Sequence, residues 1–374
     1  MKNVLFVCTY GDFLTSFELS NISIYQELGF TVHCASNFKV EERNVKNNIL
    51  REMGCIIHHV DFERKPSKKI FYNIKELRKI IRENDIKVID THNAVCSCLV
   101  RIAAKKEKIK RIIYTPHSLF FYKGCPKKNL IIFKPVEDYL ARYTDLMILI
   151  NNEDFESSKK MHLRGKAIYI PGIGIDTNKI ANAPFIDIRK EFNIPKDKKI
   201  LVSVGELNSN KNHENVLRAL SEIKRKDYIY IICGMGELKE YLNKLIKELG
   251  LSKNVILAGY RTDVNSIVKE SDVFIFPSYR EGLSAALMEA MALGKYCICS
   301  KIRGNIDLIT EKNGMLFYPN SIEDIKKCIE EYLKKPEKYN NIGRKNIEII
   351  NKCDIKNVHN EMVNVYKEFL KNVN

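Results

Sequence analysis

The chain has 374 residues, of which 45% are hydrophobic, so it is long enough for two domains with ample buried cores. Lysine and arginine outnumber aspartate and glutamate by 62 to 46, which gives a net charge of +16. No apolar run approaches the ~20 residues that a membrane-spanning helix needs, and the first residues are typical of a strand rather than a signal peptide. The sequence therefore predicts a cytoplasmic protein with reduced cysteines.

Eleven cysteines are scattered through apolar runs. The two closest pairs, Cys96 with Cys98 and Cys297 with Cys299, are separated by one residue rather than two, and no matching histidine pair follows them. Structural zinc sites need wider and more regular ligand spacings. We therefore predict core thiols and no metal site.

The positive net charge indicates either an anionic binding partner or a solvated surface rich in lysine. A basic stretch, RIAAKKEKIKR, occupies residues 101–111. Clustered lysine and arginine gain about 1 kcal/mol each near anionic lipids, which predicts peripheral binding to a membrane surface. A solvated lysine-rich surface explains the same charge equally well. Nucleic acid is the least favoured partner, because the chain has neither a zinc-finger spacing nor an RNA-binding motif.

The first part of the chain alternates apolar runs with helical patterns. The runs predict strands at residues 3–7, 31–35, 55–60, 87–89, 111–114 and 146–150. Helical patterns at 70–82 and 94–104 lie between some of them. This βαβα rhythm predicts a parallel sheet covered on both faces, whose ligands lie beyond the carboxyl ends of the strands.

A proline and two glycines at residues 170–176, IPGIGID, indicate a domain boundary. We predict a first domain at 1–172, a second domain at 173–355 and a terminal segment at 356–374 that carries an amphipathic helical pattern.

The second domain repeats the alternation of strands and helices. Its apolar runs predict strands at residues 199–204, 228–233, 255–258, 273–276 and 296–300. A capped helix is predicted from Ser321 through Lys334. The loop GELNSNKNH, residues 205–213, carries Lys211, which is well placed to neutralise a pyrophosphate. Neither a dinucleotide-binding G-x-G-x-x-G motif nor a P-loop is present.

The stretch FIFPSYREGLSAALMEAMALG, residues 274–294, predicts a strand, a turn and a helix. Helix N-termini offer unpaired amides and a positive dipole end, so the amides of residues 282–284 are a candidate phosphate-binding site. Glu281 precedes this site in the chain and Glu289 follows it. On one continuous helix the two would be displaced by roughly 12 Å along the axis, which suits opposite ends of a nucleotide diphosphate sugar.

Glu281 and Glu289, with seven residues between them, resemble the E-x7-E signature of retaining glycosyltransferases of family 4. The segment TPHSLFFYKG, residues 115–124, resembles the histidine loop of the family's bacterial capsular and surface polysaccharide enzymes. The resemblance implies the GT-B fold, in which two Rossmann-like α/β domains face each other across a cleft. It also implies retaining transfer of a hexose or N-acetylhexosamine from a UDP-sugar, with no metal and no cofactor beyond that co-substrate.

The same resemblance implies roles for individual residues. The catalytic residues are expected to be Lys211, Glu281 and His117. The donor is expected to contact Gly205, Glu206, Lys211, Arg261, Glu281, Gly282, Leu283, Ser284 and Glu289. The acceptor side is expected to include Tyr10, Gly11, Asp12 and His92.

Several of these residues have a second interpretation. His117 also suits a turn histidine bonded to local backbone, and the sequence favours a structural role for His92. Arg261 either lines the base site or pairs with Asp263. Glu206 stands where the family usually has an arginine. In the family this arginine and the lysine at position 211 would both contact the phosphates, so the substitution puts binding by two cations in doubt. Glu206 either orders Lys211 or contacts the acceptor.

The expected partners are a nucleotide-sugar donor, a lipid-linked glycan acceptor and an anionic membrane surface at the cytosolic face, and the oligomeric state is left open. In enzymes of the resembling fold the terminal helix packs back toward the first domain, although packing on the second domain is also possible. Three alternative functions remain: a nucleotide-sugar epimerase, a non-catalytic nucleotide-sugar-binding subunit and a nucleic-acid-binding protein. An epimerase would turn over its nucleotide sugar without any acceptor, and the subunit would bind it without turnover.

Overall fold

The computed structural model describes residues 2–39, 47–63 and 68–371. The chain divides into two compact units: unit 1 comprises Met1–Ile173 with Val358–Asn374, and unit 2 comprises Gly174–Asn357. Among the described residues, no helix combines the length and the apolar character needed to cross a membrane.

Unit 1 contains a seven-stranded parallel sheet in the order β3-β2-β1-β4-β5-β6-β7. Its strands are β1 (Lys2–Tyr10), β2 (Phe30–Asn37), β3 (Ile56–His59), β4 (Ile86–His92), β5 (Ile112–Thr115), β6 (Leu146–Leu149) and β7 (Lys166–Tyr169). Val4 of β1 is paired with Val32 of β2 on one side and with Val88 of β4 on the other.

The helices of unit 1 cover both faces of this sheet. In chain order they are α1 (Gly11–Phe13), α2 (Leu19–Glu27), α3 (Asn47–Glu52), α4 (Ile70–Glu83), α5 (Ala94–Lys106), α6 (Lys127–Ala141) and α7 (Asn152–Ser158). A π-helical turn, Leu14–Glu18, lies between α1 and α2.

Unit 2 contains a six-stranded parallel sheet in the order β10-β9-β8-β11-β12-β13. Its strands are β8 (Lys199–Val204), β9 (Tyr228–Cys233), β10 (Val255–Gly259), β11 (Val273–Phe276), β12 (Tyr296–Ser300) and β13 (Gly314–Phe317). Two hydrophobic clusters enclose it, because the side chains of each central strand alternate between the two faces.

The helices from residue 177 onward belong to unit 2, except for the last one, α18, most of which belongs to unit 1. They are α8 (Thr177–Ala181), α9 (Ile188–Glu191), α10 (His213–Glu222), α11 (Lys239–Glu248), α12 (Val264–Glu270), α13 (Ala285–Ala292), α14 (Asn305–Leu308), α15 (Ile322–Lys334), α16 (Pro336–Gly343), α17 (Asn346–Ile350) and α18 (Ile355–Phe369). Short 3-10 turns occupy Ser209–Lys211 and Asn351–Cys353. As the sequence predicts, Ser321 caps α15 by accepting a hydrogen bond from the amide of Asp324.

The terminal helix α18 contributes to the core of unit 1. Val358, Met362 and Tyr366 lie in the same hydrophobic cluster as β1 and β2. The Tyr366 hydroxyl donates a hydrogen bond to Asp90 Oδ2 at 2.9 Å, and the Tyr25 hydroxyl donates to the same oxygen at 3.2 Å. The end of the chain is therefore joined to the carboxyl end of β4 by buried polar contacts as well as by apolar packing.

The α/β fold class with two Rossmann-like units is confirmed. In each unit the strand order reverses at one place, between β1 and β4 in unit 1 and between β8 and β11 in unit 2. Ligands of open parallel sheets bind beyond the carboxyl ends of the strands at such reversals. The loops after these four strands are therefore where functional side chains are expected.

Candidate functional site

The centre of the site in unit 2 is an ion pair between the two loops at the strand reversal. Lys211 follows β8, Glu281 follows β11, and Lys211 Nζ donates to Glu281 Oε1 at 2.8 Å. Both side chains are partly shielded, with 21% and 16% of their surface exposed. The structure thus brings together two of the three predicted catalytic residues.

The loop after β8 holds Lys211 in place through a chain of polar contacts. Asn208 Oδ1 accepts a hydrogen bond from the Lys211 amide at 3.1 Å, which caps the short 3-10 turn. Glu206 Oε2 in turn accepts from Asn208 Nδ2 at 2.9 Å. Of the two roles predicted for Glu206, this contact corresponds to ordering Lys211, and it acts through Asn208. A Cβ added at Gly205 would lie 3.1 Å from the Lys211 side chain, so the glycine gives this lysine room.

Two hydrogen bonds to backbone carbonyls fix the two loops to each other. The Tyr279 amide donates to the Asn210 carbonyl at 2.8 Å, and Asn210 Nδ2 donates to the Arg280 carbonyl at 3.0 Å. These bonds set the spacing between the Lys211 and Glu281 backbones independently of their charges. The ion pair is therefore held in a preorganised frame.

Arg303 is a second cation that sequence reasoning did not assign to the site. It is 4% exposed and its Nε donates to the Glu281 carbonyl at 3.2 Å. The neighbouring Gly304 has a φ of +77°, and a Cβ there would lie 2.1 Å from the Gly282 carbonyl oxygen. In the sequence, the only indication of this role is that Arg303 and Gly304 follow a predicted strand. Their packing against Glu281 depends on a contact with a distant loop, which the sequence pattern does not record.

The helix that follows Glu281 begins later than predicted. The cap residue is Ser284, α13 starts at Ala285, and the first helical backbone bond runs from the Met288 amide to the Ser284 carbonyl at 3.1 Å. Gly282 and Leu283 therefore lie in the preceding turn, and only Ser284 of the three predicted amides belongs to the helix terminus. The 12 Å displacement expected from one continuous helix does not apply to Glu281, because the turn interrupts the helical path.

Glu289 lies on α13 and is half-buried. Burial raises the pKa of its carboxyl above the ordinary value. Among the described residues, no hydrogen bond or ion pair engages the Glu289 carboxylate. A shielded carboxylate that lacks a protein partner is suited to accept hydrogen bonds from a ligand's hydroxyl groups.

Arg261 is engaged by carboxylates of its own unit. Its Nε donates to Asp263 Oδ1 at 2.8 Å, and its two terminal nitrogens contact Glu191 at 2.5 and 3.2 Å. The hydrogen bonds that Arg261 donates to Asp263, and then those to Glu191, hold the pKa of Arg261 above its ordinary value. The structure therefore contains the pairing with Asp263 that the sequence offered as one interpretation.

Three buried polar side chains near these loops have atoms without a hydrogen-bond partner in the described part of the chain. They are both ring nitrogens of His213, Oγ of Ser278 and Oδ1 of Asn305. His213 follows the Lys211 loop, Ser278 follows β11 and Asn305 follows β12. Buried polar atoms of this kind are normally satisfied by ordered water or a ligand.

The predicted residues of unit 1 gather at the reversal between β1 and β4. His92 Nδ1 lies 3.2 Å from His117 Nε2, and Glu18 Oε1 lies 3.4 Å from the first and 3.5 Å from the second. Glu18, in the π-helical turn, is a member of this cluster that the sequence did not reveal. His117 has a φ of +57°, an uncommon backbone conformation for a residue with a side chain.

Burial dominates the electrostatics of this cluster. It raises the pKa of Glu18 to about 8 and lowers the pKa of His117 to about 3. It also raises the pKa of Asp90 to about 7, although the hydroxyls of Tyr366 and Tyr25 oppose that shift. Burial, and then the neighbouring His117, also lowers the pKa of His92 well below its ordinary value, so the neutral form of both imidazole rings is favoured.

The other acceptor-side candidates lie just beyond β1. Tyr10 ends the strand, Gly11 is buried at the start of α1, and the Asp12 carbonyl accepts a hydrogen bond from Thr15 Oγ1 at 3.1 Å. The Thr9 amide donates to Asn93 Oδ1 at 3.3 Å, which joins this loop to the loop after β4. Tyr10, Gly11, Asp12 and His92 are therefore at the same end of the sheet.

The fold and the two loop clusters define a glycosyltransferase of the GT-B type. A family model described as glycosyl transferases group 1 matches residues 184–348, and one described as glycosyl transferase 4-like matches residues 3–151. The chain belongs to this glycosyltransferase family.

Two relatives and one solved structure illustrate the range of similarity. EpsD of Bacillus subtilis (strain 168) is 27% identical over 378 residues, covering 99% of this chain and 97% of its own. The Escherichia coli UDP-Gal:alpha-D-GlcNAc-diphosphoundecaprenol alpha-1,3-galactosyltransferase is 30% identical over 256 residues, or 66% of each chain. Anabaena HepE in complex with UDP-glucose has a TM-score of 0.75 at 17% identity, over 98% of this chain and 100% of the other.

Proposed function

We propose that the chain is a retaining glycosyltransferase that moves a hexose or N-acetylhexosamine from a UDP-sugar to a lipid-linked glycan in surface polysaccharide biosynthesis. The observation that carries the proposal is the Lys211–Glu281 pair at the strand reversal of unit 2, 2.8 Å apart. The lysine can contact the diphosphate of a nucleotide sugar, while the adjacent carboxylate can accept hydrogen bonds from the sugar hydroxyls.

The donor contacts follow from the geometry of the two loops. Lys211 neutralises the diphosphate together with the amides at the start of α13, and Glu281 accepts hydrogen bonds from the sugar hydroxyls. Glu289 holds the ribose, since its carboxylate is shielded and has no partner among the described residues. Arg303 positions the Glu281 backbone through its bond to the carbonyl. Gly205 and Glu206 shape the loop, and Arg261 stands at the base end.

The transfer step breaks the bond between the anomeric carbon and the diphosphate oxygen. The acceptor hydroxyl oxygen then forms a bond to the same carbon on the same face, and its proton passes to the leaving phosphate oxygen. Lys211 and the preorganised amides stabilise the charge that develops on the leaving group, so the step in unit 2 needs no metal. We place His117, His92, Tyr10, Gly11 and Asp12 of unit 1 on the acceptor side, and we propose that His117 is a catalytic residue.

The names of relatives support the choice of donor and acceptor. The Escherichia coli relative uses UDP-galactose and a diphosphoundecaprenol-linked acceptor, and HepE was solved with UDP-glucose. By extension, the acceptor of this chain is a sugar on a diphosphate-linked lipid.

A surface on α6 suits the membrane that such an acceptor requires. Leu130, Ile131 and Ile132 expose 46%, 73% and 56% of their surface, beside the exposed Lys127 and Lys128. Apolar side chains next to lysines on one helix favour the interface of an anionic bilayer. We propose peripheral binding through this surface, which flotation with phosphatidylglycerol vesicles tests. Wild-type protein is expected to float with the vesicles, and Ile131→Glu is expected to remain in the bottom fraction. Equal flotation of the two proteins would refute membrane binding through this surface.

The test of the proposed function is a transfer assay with defined arms. Purified protein is incubated with UDP-galactose, UDP-glucose or their N-acetyl forms, with and without N-acetylglucosamine on a diphosphate lipid, and UDP release is measured. We expect release with one donor only when the acceptor is present, and NMR is expected to show the product in the donor's anomeric configuration. Conversion of the nucleotide sugar without acceptor would instead establish an epimerase, and binding without turnover a non-catalytic subunit.

A further inference from the structure

Three ligand-type atoms of unit 1 form a nearly equilateral triangle. The sides are 3.2 Å between His92 Nδ1 and His117 Nε2, 3.4 Å between His92 Nδ1 and Glu18 Oε1, and 3.5 Å between His117 Nε2 and Glu18 Oε1. A tetrahedral Zn²⁺ ion at about 2.0–2.1 Å from its ligands separates them by about 3.3–3.4 Å. We propose that unit 1 binds one zinc ion through these three atoms.

The remaining atoms of two of the ligands lie beside polar groups. Glu18 Oε2 accepts a hydrogen bond from Asn21 Nδ2 at 2.7 Å, which leaves Oε1 for the ion. His92 Nε2 lies 3.4 Å from Asp90 Oδ1, and neither atom has a hydrogen-bond partner in the described part of the chain. Asp90 Oδ2 accepts hydrogen bonds from the two tyrosine hydroxyls. A carboxylate behind a ligating histidine fixes the tautomer that turns the lone pair toward the metal.

The backbone around the ligands carries two uncommon conformations. Glu18 ends a π-helical turn, Leu14–Glu18, and His117 has a φ of +57°. Such features are retained mainly where they position a functional side chain. The ligands come from the turn after β1, the end of β4 and the loop after β5, which are neighbouring strands of the sheet. The ion would therefore link the segments that follow β1, β4 and β5, at the carboxyl end of the sheet of unit 1.

The ligand set favours zinc over the harder ions. Two imidazoles and one carboxylate are a common set for Zn²⁺ and leave the fourth position for water or a ligand oxygen. The other histidine pair of unit 1, His33 and His58, has its nitrogens 2.9 Å apart and belongs to no group of three metal-ligating side chains among the described residues. It is an internal comparison for the experiment.

The experiment measures metal binding without any sugar substrate, so its failure leaves the proposed transferase activity untouched. Protein stripped with a chelator is titrated with ZnCl₂ against a chromophoric competitor, and bound zinc is counted by elemental analysis after dialysis. Wild type and the control His162→Asn, which alters an exposed histidine, are expected to bind one equivalent more than Glu18→Gln and His117→Asn. Asp90→Asn is expected to bind that equivalent about 10- to 100-fold more weakly.

A second measurement needs no variant and guards against misfolding. Wild-type protein loaded with one equivalent of Co²⁺ is expected to show ligand-field bands without the intense near-ultraviolet absorption of a cobalt–thiolate bond. Equal zinc content in wild type and Glu18→Gln would overturn the proposal. Thiolate absorption would also overturn it, since it would assign the metal to the free cysteines.

Discussion

Lys211 and Glu281 lie 70 residues apart in the chain, yet their side chains meet at 2.8 Å between the loops of two adjacent parallel strands. The pair is partly exposed, so it is worth only about 0–1 kcal/mol of folding free energy. From its position at the strand reversal we propose a functional rather than a stabilising role for the pair.

Replacing Lys211 by alanine should impair catalysis without unfolding the protein. Loss of one group that stabilises a developing charge typically costs ~3–4 kcal/mol of barrier, so kcat/KM should fall by about 10²–10³. The melting temperature should change little. Lys253→Ala, at an exposed position of the same unit, is the control and should retain full activity. Equal activity of the two variants would remove Lys211 from the catalytic residues.

A substitution at Gly304 should disturb the Glu281 turn through a steric contact. A Cβ at this position would lie 2.1 Å from the Gly282 carbonyl oxygen, so the turn must move and donor binding should be lost. Gly250→Ala is a matched control, because its φ of +68° imposes a similar backbone cost with no atom within 4 Å. Calorimetric titration with UDP should show binding to Gly250→Ala and none to Gly304→Ala. Retained binding in the latter would separate the turn from the donor site.

A buried ion pair in unit 1 supplies a test of stability alone. Arg101 is fully buried, donates to Glu137 Oε2 at 2.8 Å and lies 4.0 Å over the Tyr114 ring. Arg101→Met should destabilise the protein by about 3–5 kcal/mol in urea unfolding, because Glu137 is left as an uncompensated buried charge. The double variant with Glu137→Leu should recover much of this loss. If the double variant is as unstable as the single one, the pair is not the cause.

His213 should make the protein sensitive to acid. Burial lowers the pKa of this histidine from 6.5 to about 3 in the folded protein, so the unfolded chain binds the additional proton first. The free energy of unfolding should therefore fall as the pH drops from about 6.5 toward 3, by up to about 1.4 kcal/mol per pH unit from this group. His213→Phe should have a shallower slope over that range than wild type, whereas the exposed His162→Phe should not. Parallel slopes in all three proteins would contradict the assignment.

The extent to which the sequence predicts the fold depends on burial. Strands β8, β11 and β12 are predicted residue for residue, because each is buried on both faces and forms a continuous apolar run. Two of the four edge strands, β7 and β13, are not predicted, since each has only four residues, some of them partly buried, and β13 begins at a glycine.

The candidate site is predicted where local pattern determines it and missed where distant contacts do. The motif around Glu281 gives the strand, the turn and the helix, but the turn at Gly282 delays the start of α13. Glu18 and Arg303 join their clusters through contacts with loops far along the chain, which neither periodicity nor spacing records. The pairing of Arg261 with Glu191 is hidden for the same reason.

The most direct test of the account is donor binding measured by thermal shift on three proteins: wild type, Glu289→Ala and the exposed-surface control Glu348→Ala. The panel contains UDP, GDP, ADP and the UDP-linked glucose, galactose and N-acetylhexosamine sugars. A ligand at ~100 times its dissociation constant stabilises the folded state by about 2.7 kcal/mol, which is measurable. The account predicts a shift with UDP and one UDP-sugar that persists in Glu348→Ala and disappears in Glu289→Ala. A shift with GDP or ADP alone, or one unchanged in Glu289→Ala, would contradict it.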